Sequence, residues 1–234
     1  MFTELFGRRL VLYYNLIFII CCHWIFVIRN AGCVTICNGD FNMNWPNARF
    51  TYAAPACWSS YNGGTMVIVR DDDRDWGGGS PPSGRYYIAL QSNGYGGMFQ
   101  QIHVPSCRRV QFNFYLRSRL PPHGGIARVL VYYGGNIIGS IEISNSWTQY
   151  SGQVNEVNHD RNENLLFLAN GCIMGTTRST TDCTFEIDNV FNPFDWHIAP
   201  DACGVCGGPG LNAAGCCFGL SKDCAGTCGG SLGD

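Results

Sequence analysis

Between Cys33 and Phe194, apolar and polar positions alternate with period two in a series of short runs. Val110, Phe112, Phe114 and Leu116 face one way and Gln111, Asn113, Tyr115 and Arg117 the other, the signature of a strand with one wet face. Comparable runs occupy residues 66–70, 85–91, 98–104, 127–133, 137–143, 147–154, 165–169 and 184–190. Gly, Pro, Asn and Asp separate them. Gly134-Gly135-Asn136, between two runs, predicts a tight hairpin, because Gly and Asn accept the positive φ that such turns require. Nothing in this region has the period of a long amphipathic helix. The pattern predicts an all-β fold, one antiparallel jelly-roll β-sandwich over residues 33–194, long enough to bury its own core. Trp58, Phe112, Phe114, Phe167 and Phe185 fall on apolar strand faces and read as packing.

The C-terminal segment, residues 201–234, obeys a different rule. Asp201-Ala-Cys-Gly-Val-Cys-Gly-Gly is answered by Asp223-Cys-Ala-Gly-Thr-Cys-Gly-Gly, and Cys206, Cys217 and Cys228 recur every 11 residues. The array stops at Asp234, where a further unit would open, and it is expected to continue. Such a Gly-rich tail has too little apolar surface to fold without cross-links. Cys203, Cys206, Cys216, Cys217, Cys224 and Cys228 are therefore expected to form disulfides with one another. A redox Cys-X-X-Cys or a zinc knot is disfavoured, since no βα pattern precedes Cys203 and no His stands at ligand spacing. In the sandwich, Cys172 and Cys183 bracket an 11-residue step suited to a bridge, and Cys57 with Cys107 and Cys33 with Cys37 would complete the set, although sequence does not fix connectivity.

Disulfides place the chain in an oxidising compartment, and the N-terminus agrees. Arg8 and Arg9 precede an apolar run over residues 10–28, then Asn30-Ala31-Gly32. Residues 1–30 thus read as a signal peptide or a retained signal anchor, either of which exports the remainder of the chain. Membrane contact is expected only through an uncleaved anchor. A net charge of -2 with 14% charged residues excludes a nucleic-acid footprint.

Particular residues carry a resemblance. Cys37-Asn-Gly-Asp-Phe41, Trp58, Pro82-Ser-Gly-Arg-Tyr-Tyr-Ile-Ala-Leu90, Met98-Phe-Gln-Gln-Ile102, the run 110–116 and Phe185-Glu-Ile-Asp-Asn-Val190 occur in the order found in galactose-binding-domain-like sandwiches, which include many carbohydrate-binding modules. The tail resembles the cysteine-rich segments of secreted metalloproteases and of microbial surface proteins. His-Glu-X-X-His is absent, so the protease activity does not carry over. The sandwich resemblance implies a structural Ca²⁺ where the first strand meets the last, with Asn42 and Asp188 as ligands and Asp40 nearby. The usual Glu is Asn42 here, one negative charge fewer.

The sharpest polar cluster is Asp71, Asp72, Asp73 and Asp75 with Trp76, followed by three Gly. An oxygen-rich loop suits Ca²⁺, and an exposed Trp beside hydrogen-bonding groups suits a sugar ring, although the Asp spacing lacks the EF-hand pattern and also fits a solvated loop. Tyr61, Trp76, Tyr95 and Trp147, in or beside polar turns, are the candidates for stacking on a saccharide. No nucleophile elbow or metallohydrolase helix occurs, which favours a non-enzymatic module over a hydrolase with a hidden carboxylate pair. The expected function is a secreted or cell-surface protein binding a glycan or an extracellular surface partner. The alternative is an assembly subunit of a matrix or filament.

Overall fold

The computed structural model describes residues 34–43, 48–76, 79–91, 95–119, 126–157, 160–173, 184–222 and 226–229. The N-terminal apolar run, Cys33, Cys183 and Cys224 lie outside these residues, as does the side chain of Cys172. Val34–Asp234 forms one compact unit.

Among its described residues the unit has eleven strands: β1 (Phe50–Tyr52), β2 (Ser59–Tyr61), β3 (Thr65–Arg70), β4 (Tyr86–Gln91), β5 (Gly97–Val104), β6 (Arg108–Ser118), β7 (Ile126–Tyr133), β8 (Asn136–Glu142), β9 (Thr148–Val157), β10 (Arg161–Ile173) and β11 (Phe185–His197). Every run read from the alternation is a strand. The three-residue β1 and β2 are too short to show a period and are additions of the fold. The strands form two antiparallel sheets, β1-β3-β4-β11-β6-β9 and β2-β5-β10-β7-β8. No helix occurs among the described residues, so none there is long and apolar enough to cross a membrane.

Alternate residues of the two sheets meet in one core. Phe112, Phe114, Phe167 and Phe185 are fully buried in it and Trp58 is nearly so. The predicted hairpin joins β7 to β8, with Gly134 and Gly135 at φ of 56° and 81°. At the other end the closing strand β11 meets the Asn-Gly-Asp-Phe turn, where Val190 N–H donates to Gly39 O at 2.8 Å. A Cβ on Gly39 would lie 1.9 Å from the Val190 carbonyl oxygen, so the approach needs glycine there.

The tail repeats in three dimensions as it does in sequence. Isolated bridges Pro200↔Cys206, Leu211↔Cys217 and Lys222↔Cys228 recur at the 11-residue spacing. The carboxylate of Asp201 accepts from the N–H groups of Cys203, Val205 and Gly210, and the side-chain oxygen of Asn212, 11 residues later, accepts from Ala214 and Cys216. These side chains satisfy backbone donors that lack a sheet or helix partner.

The disulfides correct the expected pairing. Cys37 bonds Cys57, not Cys33, and Cys107 bonds Cys206 rather than Cys57. The tail is therefore not closed on itself: Cys203–Cys217 and Cys216–Cys228 link repeat to repeat, while Cys206 ties the first repeat to the sandwich.

Candidate functional site

The acidic loop after β3 is a closed knot. Asp72 makes two contacts with the guanidinium of Arg70, at 2.6 and 2.8 Å, and Arg70 holds its carboxyl below the usual range. Asp71 faces Arg85 at 3.4 Å. Asp73 is 1% exposed and accepts from the N–H groups of Asp75 and Trp76, a local cap that folds the chain back over the sheet. The Asp75 carbonyl accepts from Arg119.

The expected exposure of Trp76 is overturned: its ring is 4% exposed. It packs on the outer face of the six-stranded sheet with Val67, Val69, Tyr87 and Ala89, a second apolar cluster apart from the main core. Phe50 and Tyr52 of β1 lie with ring centroids 6.2 and 6.0 Å from it, and the Arg119 guanidinium lies 4.3 Å from its centroid. Trp147 is half-buried against the same cluster, edge-on to Tyr87 and under the guanidinium of Arg117 at 4.6 Å. Arg117 also pairs with Glu186, directly opposite it in the sheet and fully buried. Burial pushes the Glu186 carboxyl up, and Arg117 offsets part of that rise.

Asp40 and Asn42 share the turn before β1, and Asn42 and Asp188 each accept from a backbone N–H of the turn before β4. Asp188 points outward from β11 and is fully buried. Its Oδ2 accepts from Ser83 N–H at 2.7 Å, and its Oδ1 has no hydrogen-bond partner. Burial raises its pKa to about 7, against the lowering effect of the Ser83 and Asn189 N–H groups, and the Asp40 carboxylate raises it further. Asn42 donates to Asp40 O at 2.6 Å and accepts from Arg85 N–H at 3.0 Å, bridging the turn before β1 to that before β4. The group offers oxygens only, one of them a buried carboxylate oxygen without a partner, and this chemistry fits a hard cation. No group of three or more His, Cys, Asp or Glu side chains placed to hold a metal ion occurs among the described residues.

Tyr61 and Tyr95 are exposed, at 45% and 64%, and their turns adjoin through Asn62 Nδ2, which donates to Tyr95 O. The strand register places Tyr61 on the outer face of the five-stranded sheet, in line with Gly97, Leu168, Leu130 and Ser140. The next row on that face runs Ser59, Phe99, Leu166, Tyr132 and Ile137 across all five strands. Phe99, Leu166, Tyr132, Leu168 and Leu130 are half-buried and Ile137 is 58% exposed. Gln101 opposite Asn164, and His103 opposite Asn162, give the following rows polar side chains. This apolar band with an amide border is absent from the site read from sequence. Its signal was the continuous run Leu165-Leu166-Phe167-Leu168-Ala169, which is apolar on both faces where one wet face would alternate.

No protein-family model matches the chain, and no curated protein sequence matches it. Among solved structures, a cyclase from Fischerella sp. TAU aligns with a TM-score of 0.50 at 12% identity, over 68% of this chain and 94% of that one. TmCBM61 in complex with β-1,4-galactotriose aligns at 0.46 and 12% identity, over 71% and 99%. The K1 cleaved adhesin domain of Lys-gingipain from Porphyromonas gingivalis W83 aligns at 0.43 and 10%, over 62% and 98%. The likeness to the cyclase, at 12% identity, is one of fold.

Proposed function

We propose that this is a secreted or cell-surface, non-enzymatic module that binds a glycan on the outer face of its five-stranded sheet. The row Phe99, Leu166 and Tyr132 on three adjacent strands carries the reading. Apolar and aromatic faces suit the C–H side of sugar rings, and the neighbouring amides and imidazole suit hydroxyls. With strands spaced by about 4.8 Å, a five-strand row is about 19 Å long, which fits an extended saccharide chain better than a single sugar.

The disulfides support an extracellular site of action. The non-enzymatic reading rests on the carboxylates: Glu186 and Asp188 are fully buried, and Glu142 is paired with Arg128 at 2.5 Å. We include a structural Ca²⁺ at the β11 end, held by Asp188 Oδ1 with the oxygens of Asp40 and Asn42, as a stabilising ion remote from recognition.

The test is a glycan array probed with the exported chain, followed by titration of any hit against Tyr132→Ala and Gln101→Ala. Loss of about tenfold or more in affinity in Tyr132→Ala is expected for an aromatic anchor. A defined hit indifferent to both changes would move the site off this face.

A further inference from the structure

We propose that the tail is a tension-bearing tether, in which a pull along the repeats enters the sandwich through Cys107 at the β5–β6 turn and bypasses the closing strand β11. In the 11-residue frame Cys206, Cys217 and Cys228 hold one position, and each bonds to the element before it. Cys206 bonds to Cys107 of the sandwich, Cys217 to Cys203 of the first repeat and Cys228 to Cys216 of the second. The covalent route from Cys228 to the sandwich therefore crosses these disulfides and follows the main chain only over residues 216–217 and 203–206.

Two routes lead inward from Cys203. One runs forward to Cys206 and across its disulfide, whose Cα atoms are 5.0 Å apart. The other runs back along the peptide to Ile198, whose N–H donates to Cys107 O at 2.8 Å. Pro200 pairs with Cys206, so the two limbs of this reversal are matched. Beyond that pair the disulfide reaches Cys107 directly, whereas the peptide still has to pass to Ile198 and β11. At about 3.6 Å per extended residue the first route is about 16 Å long and the second about 18 Å, so tension draws the disulfide route taut first.

The root is placed to take load. Cys107 lies where the chain crosses from β5, which is flanked by β2 and β10, to β6, which is flanked by β11 and β9, so a pull there divides between interior strands of both sheets. The end of β11 is held differently: Asp195, Trp196 and His197 pair with β6, beyond the Phe185–Ile187 stretch that also pairs with β4. A pull on that end would fall on its terminal pairs first and open them in turn. The root bond is also sealed from solvent, with Cys107 7% and Cys206 3% exposed, which protects it from exchange with external thiols. The inference is independent of glycan binding, since it rests on the disulfides and on strand order.

Force spectroscopy of the oxidised, exported chain, held by handles at its two ends, tests it against Cys107→Ala/Cys206→Ala. Unfolding of the variant should release about 30 nm more chain, since residues otherwise enclosed by the disulfide then extend. The ratio of variant to parent unfolding rates should be about tenfold or more larger under load than in denaturant without load, which separates a path for tension from simple stabilisation. A Gly-Ser insertion between Val205 and Cys206 keeps every cysteine and makes the disulfide route the longer one. It should speed unfolding under load while leaving the urea midpoint at the parent's value. A rate ratio that is the same with and without load, or an insertion variant that unfolds under load like the parent, would overturn the proposal.

Discussion

Cys107, at the turn between β5 and β6, is bonded to Cys206 of the first tail repeat across 99 residues of sequence. Cys107 takes a φ of 57°, and its carbonyl accepts from Ile198 N–H at 2.8 Å, so covalent bond and hydrogen bond fix the exit of the tail together. Breaking this bond frees a long loop in the unfolded chain. The double variant Cys107→Ala/Cys206→Ala should lose about 2 to 4 kcal/mol, read as a lower urea midpoint under oxidising conditions. An unchanged midpoint would show that the tail is held by its other contacts.

Trp76→Ala should act on stability. The ring fills the space between β1, β3, β4 and Arg119, and deleting a buried Trp costs about 3 to 5 kcal/mol. Chemical denaturation should report that loss, while affinity for any glycan held on the five-stranded sheet should be unaltered in the folded fraction. Normal stability combined with lost binding would return recognition to the acidic loop.

Arg117 should be a second sensitive position. It faces buried Glu186 and lies over both Tyr87 and Trp147. Arg117→Ala strands a buried carboxyl and should cost about 3 to 5 kcal/mol, whereas Arg117→Ala combined with Glu186→Leu should recover part of it. A double variant no better than Arg117→Ala would mean that the ring contacts, not the ion pair, hold this face together.

Asp188 couples stability to pH. Its folded pKa of about 7 lies above the ordinary 3.8, so between about pH 4 and pH 7 the folded state binds more protons than the unfolded one. In chelator, stability should therefore fall as pH rises through that window and level off above it, by an amount on the order of 4 kcal/mol. Asp188→Asn should make the profile shallower, and the part that remains comes from Glu186, whose carboxyl burial also raises to about 7. A parent chain whose stability rises with pH over that window would contradict the assignment.

Ca²⁺ should reverse the trend. On the proposed assignment an ion at this place would bind deprotonated Asp188, so millimolar Ca²⁺ should raise the melting temperature more at pH 8 than at pH 5.5, and Asp188→Ala should abolish the rise. Superimposable melting curves with and without chelator at pH 8 would remove the ion.

Much of the fold was legible because it rests on local rules. Period-two alternation located nine strands, Gly134-Gly135 located a hairpin, and the 11-residue cysteine spacing matched the recurring bridges of the tail. Each depends on residues within a few positions of one another, which is the range over which sequence pattern maps onto backbone conformation.

What only the tertiary structure decided involves partners remote in sequence. Asp and Gly around Trp76 signal an exposed turn, yet the ring is buried by Phe50, Tyr52, Tyr87 and Arg119, none of which its neighbours announce. Cysteine spacing suggested nearby pairs, but a bond needs Cα atoms within reach, and the β5–β6 turn brings Cys107 to 5.0 Å from Cys206. The apolar row on the five-stranded sheet likewise exists only once register aligns Phe99 with Leu166 and Leu166 with Tyr132. Local alternation assigns each residue a face, but which residues become neighbours on that face is set by strand order, and strand order is a property of the assembled sandwich.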